Sequence, residues 1–383
     1  GQVRHRLEAV SMNDAIKKVT MPKWGLSMTS GKITDWIVSE GDEVSEGDEL
    51  ADIDTDKIAG ALEAAEEGVL RRLIAEINED IPVGGTIALI APADVPESEI
   101  DEAARLAREE LDSGAVEEVA GPVTGTVQVG GRTLSYATLG EGDEHVLLVH
   151  GYGGDKNSWL FVQEPLSASR TVHALDLPGH GESTKDVGDG SLDTLSSAVL
   201  GFLEQMGIER VHLVGHSLGG AVVTAAAARE PAKVASLTLV APAGFGDKVD
   251  AEYLRGFAAA SSRRELKPHL SRLFADPAQV TRQLADDLMK FKRLDGVQQA
   301  LDTLLGTLLD GDAPGIDAAP LLDKVTVPVA VVWGRADQVL PAANAEALAG
   351  RVEVKLVDDA GHMVHMEKPS SVVDAVETVT KGG

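Results

Sequence analysis

Val211-His212-Leu213-Val214-Gly215-His216-Ser217-Leu218-Gly219-Gly220 reads as a buried strand, then Gly-x-Ser-x-Gly, then the start of an alanine-rich helix. The context carries more than the pattern. Gly-x-Ser-x-Gly alone recurs by chance, but between a strand and a helix it becomes a nucleophile elbow. Its glycines leave room for a strained turn, and the serine Oγ is held up at a helix N-terminus.

Outward from this stretch, residues 121–383 alternate. Strand-like runs fall at 127–129, 133–138, 146–149, 172–175, 211–214, 237–240, 329–333 and 352–357. Helical stretches at 192–206, 218–229, 342–348 and 371–379 lie between them. Strands alternating with helices predict a mostly parallel sheet wrapped by helices. Residues 247–316 break the alternation with several amphipathic helical runs, which predicts a helical cap over the sheet.

A nucleophilic serine needs a base and an orienting acid. The strand at 329–333 ends in Gly334-Arg335-Ala336-Asp337, and the strand at 352–357 leads into Asp358-Asp359-Ala360-Gly361-His362. Asp337 and His362 are therefore expected in loops at the same sheet edge as Ser217. His365 competes as base and is expected to pack locally. Asp358 and Asp359 compete as acid, but sit too close in sequence to His362. Oxyanion donors are expected from the backbone N–H groups of Leu218, after the nucleophile, and Tyr152, in His150-Gly151-Tyr152-Gly153-Gly154 after an early strand. His150 is expected to shape that loop. Taken together, these residues resemble the α/β-hydrolase superfamily over about 121–383. Asp176-Leu177-Pro178-Gly179-His180-Gly181-Glu182-Ser183 resembles a structural turn common in such enzymes, so His180 is also expected to be structural.

Residues 15–92 read differently. Short β-rich segments at 16–19, 33–38, 50–53, 68–70 and 86–90 are punctuated by Gly41-Asp42 and Gly47-Asp48, which predicts a small all-β sandwich or barrel. Asp54-Thr55-Asp56-Lys57-Ile58 lies between two such segments, where a hairpin tip would put Lys57 in solvent. With Gly41-Asp42-Glu43-Val44 and Gly47-Asp48-Glu49-Leu50 upstream and Gly68-Val69-Leu70 downstream, the stretch resembles the lipoyl domain family. The resemblance implies a lipoyl amide on Lys57. Related biotinyl domains usually hold the lysine between two methionines, which this sequence does not.

Between the two lie residues 93–120, where ten acids face only Arg105 and Arg108. They are expected to form a charged linker with a short helix inside it, extended by self-repulsion. Met12 is read as the native start and residues 1–11 as a leader.

Bulk composition bounds the rest. The 383 residues carry a net charge of −28, which argues against nucleic acid as main partner. There is no cysteine, so neither disulfides nor thiol catalysis, and no metal site is expected. No run approaches the roughly 18 apolar residues of a membrane span, so a cytoplasmic location is expected. A strongly anionic ligand would need a local reversal of charge. The cap offers Arg263, Arg264 and Lys267, then Lys290, Lys292 and Arg293, as candidate phosphate contacts.

A lipoyl domain fused to an α/β-hydrolase domain resembles the dihydrolipoyl acetyltransferase components of acetoin dehydrogenase complexes. That resemblance implies three things: acetyl loaded on Lys57 by a thiamine-diphosphate-dependent acetoin-cleaving enzyme, transfer to coenzyme A by the large domain, and reoxidation by a flavin-dependent dihydrolipoyl dehydrogenase. A homo-oligomer is expected. Residues 93–120 are too acidic to match the basic subunit-binding domain of related complexes. Two alternatives stay open. One is a lipoyl-bearing hydrolase with water as acceptor; the other is a carrier or scaffold subunit with a vestigial serine site.

Overall fold

The computed structural model describes residues 14–24, 28–56, 58–116 and 121–381. The chain divides into two compact units, residues 1–121 and 122–383.

The first unit is built on eight short strands: β1 (Lys17–Thr20), β2 (Ser30–Trp36), β3 (Glu43–Val44), β4 (Glu49–Asp54), β5 (Ala59–Glu63), β6 (Gly68–Leu73), β7 (Asp80–Pro82) and β8 (Thr86–Ala91). They form two four-stranded antiparallel sheets, ordered β1-β8-β6-β3 and β5-β4-β2-β7. Ile33 and Ile53 are buried between exposed Lys32 and Thr34 and exposed Asp52 and Asp54, as a half-buried pleat requires, whereas β8 is buried along its whole length. Two near-identical turns come from the repeated Ser-Glu-Gly-Asp-Glu at 39–43 and 45–49. Gly41 and Gly47 take φ of 97° and 91°, and the Asp42 and Asp48 carboxylates accept the Ser39 and Ser45 N–H groups.

The acidic stretch is more structured than its charge suggests. Helix α1 (Glu97–Ser113) packs on β6 and β8, burying Ile100 and Ala107 against Ile74, Leu89 and Ala91. Arg71 binds Glu97, Arg72 binds Glu97 and Asp101, and Arg108 binds Glu79. These contacts replace the expected self-repulsion, so residues 97–113 belong to the body of this unit rather than to an extended linker. Gly114, in the left-handed region at φ 70°, ends the helix and donates its N–H to Glu110.

The second unit is an eight-stranded sheet: β9 (Val123–Val129), β10 (Arg132–Leu139), β11 (His145–Val149), β12 (Thr171–Leu175), β13 (Val211–His216), β14 (Val234–Val240), β17 (Val329–Gly334) and β18 (Val354–Val357). The order is β18-β17-β14-β13-β11-β12-β10-β9, parallel from β18 to β12 and antiparallel at β10 and β9. Buried on both faces, β11 alternates Val146 and Leu148 toward one core with Leu147 and Val149 toward the other. Helices α2 (Leu160–Leu166) and, at the C-terminus, α11 (Pro369–Lys381) supply the first core. Helices α3 (Leu192–Gln205) and α4 (Leu218–Arg229) supply the second.

The cap is four helices, α5 (Ala251–Ala259), α6 (Arg263–Ser271), α7 (Arg282–Lys292) and α8 (Val297–Leu308), followed by a small ribbon, β15 (Leu309–Asp310) with β16 (Ala313–Pro314). Phe257, Leu270, Met289 and Leu304 pack into the same core as the sheet. Two short helices complete the unit, α9 (Ala319–Leu322) and α10 (Val364–Glu367). The 342–348 stretch forms a 3-10 rather than an α-helix.

Candidate active site

Ser217 sits between β13 and α4 with φ 55° and ψ −119°, a conformation that L residues rarely adopt and that marks an elbow under strain. Its neighbours hold it there. Its N–H donates to Val240 (3.0 Å), and its carbonyl accepts from Gly220 and Ala243 (both 2.9 Å). The flanking glycines are required by close backbone. A Cβ on Gly215 would lie 2.3 Å from the Gly219 carbonyl oxygen, and one on Gly219 would lie 2.3 Å from that of Val149. Leu218 opens α4, where the first N–H groups have no partner within the helix.

His362 and Asp337 follow β18 and β17. The His362 Nδ1 bonds Asp337 Oδ2 at 2.8 Å, with both side chains buried. Asp337 is itself fixed: Oδ1 accepts the Val339 and Leu340 N–H groups (2.9 Å each), and Oδ2 also accepts the Trp333 indole N–H. Acceptance at Asp337 makes Nδ1 the donor and leaves Nε2 free to act as a base. This loop joins the elbow through His216, whose Nε2 bonds the His362 carbonyl oxygen at 2.9 Å. Val339 and Leu340, beside Asp337, share with Ser217 and Tyr152 a mainly apolar pocket that Leu254, Leu308 and Ile316 help to line.

The loop after β11 is pinned from several sides. His150 Nε2 accepts the Leu177 N–H (3.0 Å), so its Nδ1 donates to the Gly151 carbonyl (2.7 Å). His180 Nε2 accepts the Gly153 N–H (2.9 Å), and its Nδ1 donates to Pro178. Burial pushes His180 down to about 3 and lowers His150, so both rings are neutral locks. Lys156 and Asp176 form a buried ion pair at 2.8 Å just beyond. The Tyr152 hydroxyl donates to the Leu301 carbonyl of the cap.

In the cap, Arg263, Arg264 and Lys267 line one shallow depression with Ser262, Pro268 and Ser271, although Arg263 also pairs with Asp286 at 3.1 Å. Lys290 and Arg293 are exposed. Lys292 is not available to a ligand. It is 6% exposed, and its Nζ donates to the carbonyls of Phe257 and Ala258 at the end of α5. The sequence held the clue: Ala285, Met289 and Lys292 fall on one helical stripe, and all three are buried.

Lys57 lies outside the described residues. Around it, β4 and β5 pair antiparallel up to Asp54 and Ala59, and Thr55 and Ile58 close the turn by hydrogen bonds of 2.9 and 3.0 Å. Asp54 and Asp56 are exposed, as a covalently carried arm requires of its surroundings. Among the described residues no group of histidines and acids could hold a metal ion, and no helix is long and apolar enough to cross a membrane.

Sheet order, elbow and cap place the larger unit in the class of the alpha/beta hydrolase fold. That family matches residues 144–369, and the family described as biotin-requiring enzyme matches residues 17–90. A meta-cleavage product hydrolase from Pseudomonas fluorescens shares the fold at TM-score 0.61 and 22% identity, covering 68% of this chain and 98% of its own. Along nearly the whole length, the chain is 46% identical to the dihydrolipoyllysine-residue acetyltransferase component of the acetoin cleaving system of Pseudomonas putida, covering 93% of this chain and 96% of that protein. The corresponding protein of Cupriavidus necator is 43% identical, covering 94% and 96%. The chain belongs to this family of dihydrolipoyllysine-residue acetyltransferase components.

Proposed function

We propose that the chain moves an acetyl group from a lipoyl arm on Lys57 to coenzyme A, with Ser217, His362 and Asp337 as its catalytic unit. The observation that carries the mechanism is the buried His362–Asp337 hydrogen bond beside the strained Ser217 elbow. The lipoyl group, when attached, presents the acetyl as a thioester on a long arm. His362 Nε2 takes the Ser217 proton as Oγ attacks the thioester carbonyl. The new C–O bond forms, the C–S bond breaks, and His362 returns the proton to the departing sulfur. In the second half His362 takes the proton of the coenzyme A thiol, whose sulfur attacks the Ser217 ester and frees the serine. Asp337 stabilises the imidazolium in both halves, and the Leu218 and Tyr152 N–H groups hold the oxyanion.

The exposed cations Arg264, Lys267, Lys290 and Arg293, with Arg263, are proposed to meet the coenzyme A phosphates. Lys292 is withdrawn from that set because its amine is spent on two carbonyls. As a component of a multienzyme system, the protein is proposed to work with a thiamine-diphosphate-dependent acetoin-cleaving enzyme and a flavin-dependent dihydrolipoyl dehydrogenase. A homo-oligomer in the cytoplasm completes the reading.

The test is acetyl-dihydrolipoamide supplied with and without coenzyme A. Wild-type protein is expected to form acetyl-coenzyme A, and Ser217→Ala and His362→Ala each to lose most of that activity. The double variant should be little worse than either, because members of such a unit are strongly non-additive. Near-normal transfer by Ser217→Ala would mean direct transfer without an acyl-serine. Free acetate as main product would assign water as the acceptor. Peptide spectra from cells with an active lipoyl ligase should place one lipoyl adduct on Lys57, and an adduct elsewhere would overturn that assignment.

A further inference from the structure

The loop that carries His362 is not free-standing. Met363 donates its N–H to the Leu273 carbonyl of the cap (3.2 Å), and a Cβ on Gly361 would lie 2.8 Å from the Ala275 nitrogen. One side chain is built into this joint. Glu367, at the end of α10, is 8% exposed. Its Oε1 accepts the Gly361 N–H at 2.8 Å, and its Oε2 accepts the Ala275 N–H at 2.9 Å. Gly361 immediately precedes His362. Ala275 belongs to the cap, 92 positions away from the carboxylate that binds it.

We propose that Glu367 is a positioning residue for acetyl transfer: by receiving these two N–H groups, its carboxylate fixes the His362 loop to the cap and so holds the imidazole at Ser217. The inference rests on His362 being the base for Ser217.

The charge state of Glu367 then matters. Burial pushes its carboxyl up to about 7; the two N–H donors and Lys368 oppose the shift, and Asp337 adds to it. Those are the charges that act on it from its own helix end and from the catalytic loop. On the cap side the Asp276 carboxylate is exposed and accepts the Ala278 N–H. A protonated carboxyl turns an O–H toward one of the two donors, so the clamp is complete only when Glu367 is ionised. Because the folded pKa lies above the ordinary value of 4.5, ionisation costs stability as pH rises through about 7, and the neutral form is the one the fold prefers. Clamping and stability therefore pull in opposite directions, which separates a positioning role from a merely structural one.

Glu367→Gln copies the protonated form at every pH, because an amide N–H₂ faces one of the two N–H donors. In the full-length lipoylated protein, its kcat for acetyl transfer at pH 8 should fall about tenfold, the scale of a small misplacement of a reacting group. The KM for coenzyme A should hold, and the melting temperature at pH 8 should equal or exceed that of wild type. The inflection of kcat near pH 7 should shrink to a single remaining protonation. Wild-type kcat in the variant, or a loss of kcat accompanied by a lower melting temperature and an unaltered pH profile, would overturn the proposal. If Glu367→Gln does not accumulate as folded protein, the wild type decides. The rate of Ser217 labelling by a fluorophosphonate should follow two protonations across neutral pH, and a single protonation overturns the clamp. Ser217→Ala run alongside keeps the two readings apart: transfer retained by that variant sinks the serine mechanism, whereas loss there with normal Glu367→Gln sinks only the clamp.

Discussion

His365 lies wholly buried between Trp159 and His216, with ring centroids 4.5 and 4.3 Å away. Neither ring nitrogen has a hydrogen-bond partner among the described residues. Burial pushes its pKa down to about 3, with the nearby His362 adding to the shift; His173 is lowered to about 4 by burial beside His145. A histidine with a lowered folded pKa stabilises fully above its ordinary value near 6.5, and that contribution is lost as pH falls from there toward the folded pKa. His365→Leu removes one such group. Thermal melts should show stability at neutral pH within about 1 kcal/mol of wild type, since an unpaired buried polar group has little to lose. The decline below pH ~6.5 should become shallower, and an unchanged acid slope would show that the ring takes up its proton alike in both states. At this scale the sequence revealed Ser217, because a strained turn leaves a local mark in Gly215 and Gly219. It also put Asp337 and His362 in loops after two strands, where the structure pairs them at 2.8 Å. Glu367 left no such mark. Its partners are backbone N–H groups, which every residue carries, and one of them comes from the far side of the cap.

Among the elements, α1 was the least legible. Ten acids against two arginines in residues 93–120 read as self-repulsion. The compensating cations Arg71 and Arg72 stand on β6, outside the stretch, and Arg108 reaches out of it to Glu79, which its hydrogen bonds hold below the usual carboxylate range. The apolar stripe of Ile100, Ala103, Ala104, Ala107 and Leu111 was visible but weak, and its partners Leu89 and Ala91 could be read only as strand. The inner strands β11, β13 and β14 were easier, because strands buried on both faces are nearly continuous apolar runs. If α1 is part of the lipoyl unit, Ile100→Ala should cost that unit about 2–5 kcal/mol, the usual range for a large-to-small change at a wholly buried site. Hydrogen exchange by mass spectrometry should show protection lost together in α1, β6 and β8. Loss in α1 alone would mean that the helix is merely laid on the sheet.

For the whole molecule the governing quantity is a net charge of −28, which repels an acceptor as anionic as coenzyme A. Exposed Arg264 and Lys267 are proposed to reverse that field locally. Changing both to glutamine should raise the KM for coenzyme A steeply, and more so at low salt, where screening is weak. Activity on a small uncharged ester should stay almost unchanged, since the serine site is untouched. Equal losses on both substrates would indicate a damaged cap, and no change on either would leave these residues as ordinary surface charge. Joining donor and acceptor sites in one chain raises the effective concentration of the carried group to roughly millimolar for a short connection. The docking of α1 has a practical consequence for anyone who wishes to transplant the lipoylated lysine into another protein. A fragment trimmed after Pro92, where the strands end, would leave Ile74, Leu89 and Ala91 bare and strip Arg71, Arg72 and Glu79 of their counterions. The portable tag therefore runs on through Gly114, and a ligase offered the shorter piece would meet a sticky, partly unfolded substrate.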